Sequence, residues 1–147
     1  MNKKYLLLGA SVIAAAGTLF VLRTDPKQDL PQDTAQAAST GDTAMVAITM
    51  PDISGNAEVG EYIFESTCAA CHGAQGVGNV EAGPPLIHKI YEPSHHGDES
   101  FQRAVANGVT SHHWRFGNMP PVEGLTRGDV AMVIDYIREI QRANGIN

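Results

Sequence analysis

Basic residues are scarce in this chain of 147 residues. Ten lysines and arginines face sixteen aspartates and glutamates, a net charge of −6 with histidine neutral. Without a basic patch to neutralise phosphates, nucleic-acid binding is disfavoured. Cysteine is scarcer still: Cys68 and Cys71 are the only two, three positions apart. So close a pair cannot staple distant parts of a fold, which excludes a disulfide framework. Aromatics make up only 6% of the residues. Aliphatic and small side chains carry most of the apolar fraction, and a core built from them is thin. A large flat apolar body would complete it. No internal repeat and no convincing strand alternation is present.

Three stretches differ in character. Lys3 and Lys4 precede an uncharged run from Tyr5 to Leu22, closed by Arg23. As a helix that run would be about 27 Å long, just enough for a hydrocarbon core of about 30 Å. The alternative is a cleaved signal peptide. Its candidate sites are Ala14-Ala15-Ala16, which would leave an apolar end exposed, and Ala35-Gln36-Ala37, far beyond the apolar run. Neither is well placed, so residues 1–22 are expected to be an uncleaved single-pass anchor with the lysines on the cytoplasmic side. Both outcomes export the rest of the chain. Residues 23–55 are rich in Pro, Ala, Asp, Thr, Ser and Gln without sustained periodicity, and are expected to form a flexible tether.

Residues 56–147 predict helices joined by Gly- and Pro-marked loops, an all-α domain. Val59 and Ile63 share one line over Ala57–Ala70, with Gly60, Phe64 and Cys68 on the next. Ser100–Asn107 predicts a short helix stopped by Gly108. Thr126 is placed to cap a last helix with Asp129 in its first turn. Val130, Val133, Ile134, Ile137 and Gln141 follow at three- and four-residue steps, Arg138 and Arg142 fall in the last turns, and Gly145 ends it.

Chemistry concentrates at Cys68-Ala69-Ala70-Cys71-His72. Two thiols on one helical turn can add across the two vinyl groups of a haem, and the adjacent histidine is then held at the iron. A structural zinc site would need two more ligands at suitable spacing, for which only the other histidines are available. A thioredoxin-like pair would need a strand–turn–helix setting that the helical flanks do not offer.

On these residues the domain resembles the class I cytochromes c. The family's Gly and aromatic, eight and four residues before the first cysteine, correspond to Gly60 and Phe64; its Gly-Pro-x-Leu loop corresponds to Gly83-Pro84-Pro85-Leu86. The resemblance implies one covalently attached haem c. His72 would be its proximal ligand, donating its other ring N–H to the Pro84 carbonyl and thereby gaining basicity. Gly117-Asn118-Met119-Pro120-Pro121 resembles the family's distal loop, making Met119 the sixth ligand. A thioether ligand raises the reduction potential, and the following proline stiffens the loop. Tyr136 corresponds to the aromatic that packs on the N-terminal helix. Trp114 and Arg115 are candidate donors to the haem propionates.

Five more histidines stay open: His88, His95, His96, His112 and His113. They can be solvent-facing loop residues, a second metal site such as copper, a propionate contact, or a competing distal ligand.

With His72 and Met119 filling both axial positions, the resemblance implies an outer-sphere electron carrier on the periplasmic side of a bacterial inner membrane, not an enzyme. Expected partners are quinol–cytochrome c reductase and a terminal oxidase or reductase. The rivals are a dedicated electron-transfer subunit of one oxidoreductase, or a haem-based ligand or metal sensor. Residues 56–147 hold eleven acidic and six basic residues, and Lys89 is their single lysine. The lysine ring by which mitochondrial-type members dock is therefore missing. An apolar edge from Ala69, Ala70, Gln75, Gly76, Val77, Pro120 and Pro121 is expected in its place.

Overall fold

The computed structural model describes residues 43–147. The expected anchor (1–22), both candidate cleavage sites and residues 23–42 of the expected tether lie outside the described residues. Among the described residues no helix is long and apolar enough to cross a membrane. They form four α-helices: α1 (Asn56–Thr67), α2 (Ala69–His72), α3 (Asp98–Asn107) and α4 (Arg127–Ala143). Short 3₁₀ turns occupy Ala74–Gly76 and Lys89–Tyr91. The only β-type pairings among them are two isolated bridges, Asn79 with Gly83 and Val109 with Met119.

Helix α4 starts as its sequence dictates. The Thr126 hydroxyl oxygen accepts from Asp129 N–H, and the Asp129 carboxylate accepts from Thr126 N–H at 2.8 Å, a complete capping box. The three- and four-residue steps bury Val130, Val133, Ile134, Ile137 and Gln141 along one face, joined by Tyr136 and Ile140. Asn144 closes the helix through bonds to the Ile140 carbonyl, and Gly145 follows at φ +75°.

Helices α1 and α4 cross at Gly60. A Cβ there would lie 1.9 Å from the Met132 carbonyl oxygen, so only glycine lets the two backbones meet. One turn on, Phe64 and Tyr136, both fully buried, pack with ring centroids 5.7 Å apart. Tyr136 has the packing role expected of it. Ala57, Ile87, Val133, Ile137 and Ile140 complete this core.

Instead of the continuous helix expected over 57–70, the chain breaks at Cys68 and restarts as the single turn of α2. The Ser66 hydroxyl donates to the Tyr62 and Ile63 carbonyls, offering the ladder a competing bond just before the break.

Residues 43–54, expected in the tether, lie along the domain. Met45 and Val46 N–H both donate to the Val77 carbonyl, at 3.0 and 3.2 Å. Thr49 and Asn144 exchange two bonds of 2.8 Å. Ile48 and Met50, two apart on an extended segment, join Ile53 against the core. The expected docking edge needs correcting too: Val77 is only 2% exposed and Gly76 is buried beside Leu86, Ile87 and Ile137, whereas Ala70, Pro120 and Pro121 are exposed.

Gly60→Ala should therefore cost about 3 kcal/mol, the upper end for overpacking, because the clash is with backbone that cannot rotate away. Gly128→Ala, whose Cβ would meet nothing nearer than Thr126 Oγ1 at 3.5 Å, should stabilise α4 by up to about 1 kcal/mol. Denaturant unfolding of the two variants checks the opposite signs.

Candidate functional site

The turn from Cys68 to His72 is closed by Cys71 and His72 N–H donating to the Cys68 carbonyl. Gly73 follows at φ +73°, and a Cβ there would meet the Gly78 carbonyl oxygen at 2.3 Å. The chain thus folds back and brings the Gly83–Leu86 loop under α2. Gly83 is buried so tightly that a Cβ would lie 2.7 Å from the Cys71 carbonyl oxygen. This seating delivers the Pro84 carbonyl to His72, whose Nδ1–H donates to it at 2.9 Å.

That bond commits one ring nitrogen and leaves Nε2 free. Burial holds the His72 pKa below the usual range by desolvating the cation, partly offset by the Pro84 carbonyl. The neutral ring, with its tautomer set by a backbone acceptor, is what a metal-ligating imidazole requires. The Cys68 thiol is pushed up to about 11, by burial first and then by the charges of Cys71 and Glu65. A thiolate redox pair needs the opposite shift.

Phe64, Cys68, His72, Pro84, Leu86, Val109, Met119 and Val133 line one cavity of about 680 Å³, within the roughly 300–1,000 Å³ of small-molecule and cofactor sites. Cys71 is exposed and is not among its walls. Met119 reaches the cavity from a distant loop, held by two backbone bonds with Val109 at 2.9 and 3.0 Å. Gly108, at φ +73°, permits this approach, since a Cβ would lie 2.5 Å from the Met119 carbonyl oxygen. Trp114 also lines the cavity; its indole Nε1–H is buried beside the Tyr91 hydroxyl but makes no hydrogen bond of good geometry. An orphan donor in an apolar pocket calls for an acceptor on whatever fills it. Arg115, the other expected propionate donor, is exposed and outside the walls.

The residues present fit a haem. The walls are apolar, two thiols sit on one turn, and a neutral imidazole and a thioether border the same space. The buried indole N–H of Trp114 offers a donor to an acidic group of a molecule in that space.

Tyr91 lines this cavity without having been singled out from the sequence, and Arg138, outside the walls, holds it in place. Arg138 lies at the right spacing for a solvent-facing cation at a helix end, yet its side chain is buried. Its Nε donates to Asp98 at 2.9 Å, Nη1 to the Tyr91 carbonyl at 2.7 Å and Gln141 Oε1 at 2.6 Å, and Nη2 to the His96 carbonyl at 2.6 Å. Gln141 in turn donates to the Leu86 and Tyr91 carbonyls. Between them, the two side chains donate to the Leu86, Tyr91 and His96 carbonyls and pin that segment to α4. Burial raises the Tyr91 pKa, with Trp114 opposing the shift.

Arg138→Met should cost about 3 kcal/mol, because three acceptors and Gln141 Oε1 lose a charged donor inside the fold. Asp98 is 68% exposed at its side chain, so Asp98→Asn should stay within about 1 kcal/mol of wild type. Chemical denaturation of both variants tests the asymmetry.

No curated protein matches this chain. Residues 55–137 match the family described as cytochrome C oxidase, cbb3-type, subunit III, a span that includes Cys68–His72, Pro84 and Met119. That match covers more than half of the chain and agrees with an all-helical domain around one apolar cavity. The chain belongs to this family and is a class I c-type cytochrome, with haem c covalently bound and electron transfer as its function.

Proposed function

We propose that the protein is a single-haem electron carrier, with Cys68 and Cys71 forming the thioethers and His72 and Met119 the two axial ligands. The carrying observation is that His72, with Nδ1 committed to Pro84, and Met119, from a loop 47 positions later, line one apolar cavity. The haem supplies a one-electron Fe(III)/Fe(II) couple whose potential is set by ligand identity, burial and hydrogen bonding. The chain's residues do the rest. Pro84 holds the His72 ring in one tautomer, the Met119–Val109 bridge fixes the thioether, and the apolar walls keep water from the iron. Were His72 and Met119 both to hold the iron, no position would be left for a substrate, which favours outer-sphere transfer over catalysis.

The haem domain is exported and works at the periplasmic face of a bacterial inner membrane, tethered by residues 1–22. Its partners are respiratory complexes: quinol–cytochrome c reductase as donor and a terminal oxidase or reductase as acceptor. The family match favours one second reading, a dedicated subunit of a terminal oxidase. A subunit copurifies with one complex in fixed ratio; a free carrier purifies alone and reduces several partners.

Cys68→Ala combined with Cys71→Ala should leave no haem that resists acid–acetone extraction. The oxidised wild type should show the weak far-red sulfur-to-iron charge-transfer band, lost in Met119→His. Covalent haem in the double variant, or a band that survives Met119→His, would refute the assignment.

A further inference from the structure

Four histidines that electron transfer leaves unused gather at the cavity's rim. His95 and His96 precede α3, and His112 and His113 lie in the loop leading to Met119. The fold brings the two pairs together. His95 Nε2 and His113 Nε2 are 3.2 Å apart, and one ligand nitrogen each from His95, His96 and His113 fall within 4.8 Å of one another. The rings of His112 and His113 lie 4.3 Å apart, centroid to centroid. Among the described residues, none of the four pairs with a carboxylate; the two ion pairs there use Arg127 and Arg138.

Two of the rings are already oriented as ligands are. His96 Nδ1–H donates to the Ile90 carbonyl at 2.6 Å and His112 Nδ1–H to the Thr110 carbonyl at 2.8 Å, so each keeps Nε2 free. Such outer bonds fix the tautomer of metal-bound histidines. Two nitrogens at 2.0–2.1 Å from one ion stand roughly 2.9 Å apart at neighbouring corners of a tetragonal site and roughly 3.3 Å apart in a tetrahedral one, and the His95–His113 separation of 3.2 Å falls between the two. His95 and His113 are exposed, so small side-chain rotations close the third corner.

We propose that His95, His96 and His113 bind one late first-row divalent ion, copper(II) most tightly. Three neutral imidazoles without a thiolate or carboxylate suit copper and zinc over magnesium or calcium, and copper(II) heads the divalent affinity order. The fourth position is left to water or to His112. The ion sits at the rim of the cavity that also holds His72 and Met119 but shares no ligand with them. The competing use of these rings is as donors to acidic groups of the haem itself, which would leave no nitrogen for a metal.

The test uses the full-length oxidised holocytochrome, without a histidine tag and stripped of metal by chelation, titrated with copper(II). One equivalent should bind, with a type 2 electron paramagnetic resonance signal split by nitrogen. Combined His95→Ala and His113→Ala should weaken binding more than about 100-fold, and His112→Ala less than about tenfold, against the 10–100-fold typical of outer-bond changes. Haem absorption should be unchanged throughout, reporting an intact fold. Two results would overturn the site: copper affinity equal in wild type and double variant, or a haem axial-ligand spectrum that changes when His95 and His113 are removed.

Discussion

The contact of Gly60 with the Met132 carbonyl sets the separation of α1 and α4, and the rest of the domain follows from it. With the backbones this close, Phe64 and Tyr136 meet in the core, and α1 delivers Cys68 and His72 to one side of the cavity while α4 supplies its Val133 wall. A methyl group at Gly60 would push α1 away from α4 and carry the cysteine turn with it. The core is aliphatic and small, as the low aromatic content implies. Much of what would be core in another helical domain is here the cavity.

Around that crossing, the cavity is held by polar bonds to backbone. His72 takes its orientation from Pro84, Met119 from Val109, and the 86–96 wall from Arg138 and Gln141. Each bond satisfies a buried group and at the same time fixes a wall residue, so stability and site geometry share the same interactions. Buried polar groups of this kind cost little when satisfied and a great deal when orphaned. Among the described residues two buried side-chain atoms lack a partner, Gln75 Oε1 and Trp114 Nε1; of these Trp114 lines the cavity, where an acidic group of a bound molecule could accept from it.

What could be read in the sequence was what local chemistry determines. Thr126 and Asp129 announced the start of α4, its periodicity gave the buried face, and Cys68–His72 with Pro84 twelve positions later gave one wall of the site. Long-range partners were not legible. Arg138 reads as a helix-end cation because nothing local shows that the Tyr91 and His96 carbonyls and Asp98 converge on it. Residues 43–54 read as tether because Ile48, Met50 and Ile53 are too few to declare a packed segment, and the Thr49–Asn144 pairing spans 95 positions. The two histidine pairs were visible as pairs, but their convergence depends on the chain between them.

The most direct test of the account is proton NMR of the ferrous protein with methyl-labelled methionine. A thioether bound to the iron lies over the haem face, so its methyl resonance moves far upfield by ring current. One of the five methionine methyls should do so, and it should be that of Met119. If no methyl were shifted, or if the shifted one belonged to Met132 or Met45, the placement of haem between His72 and Met119 would be contradicted.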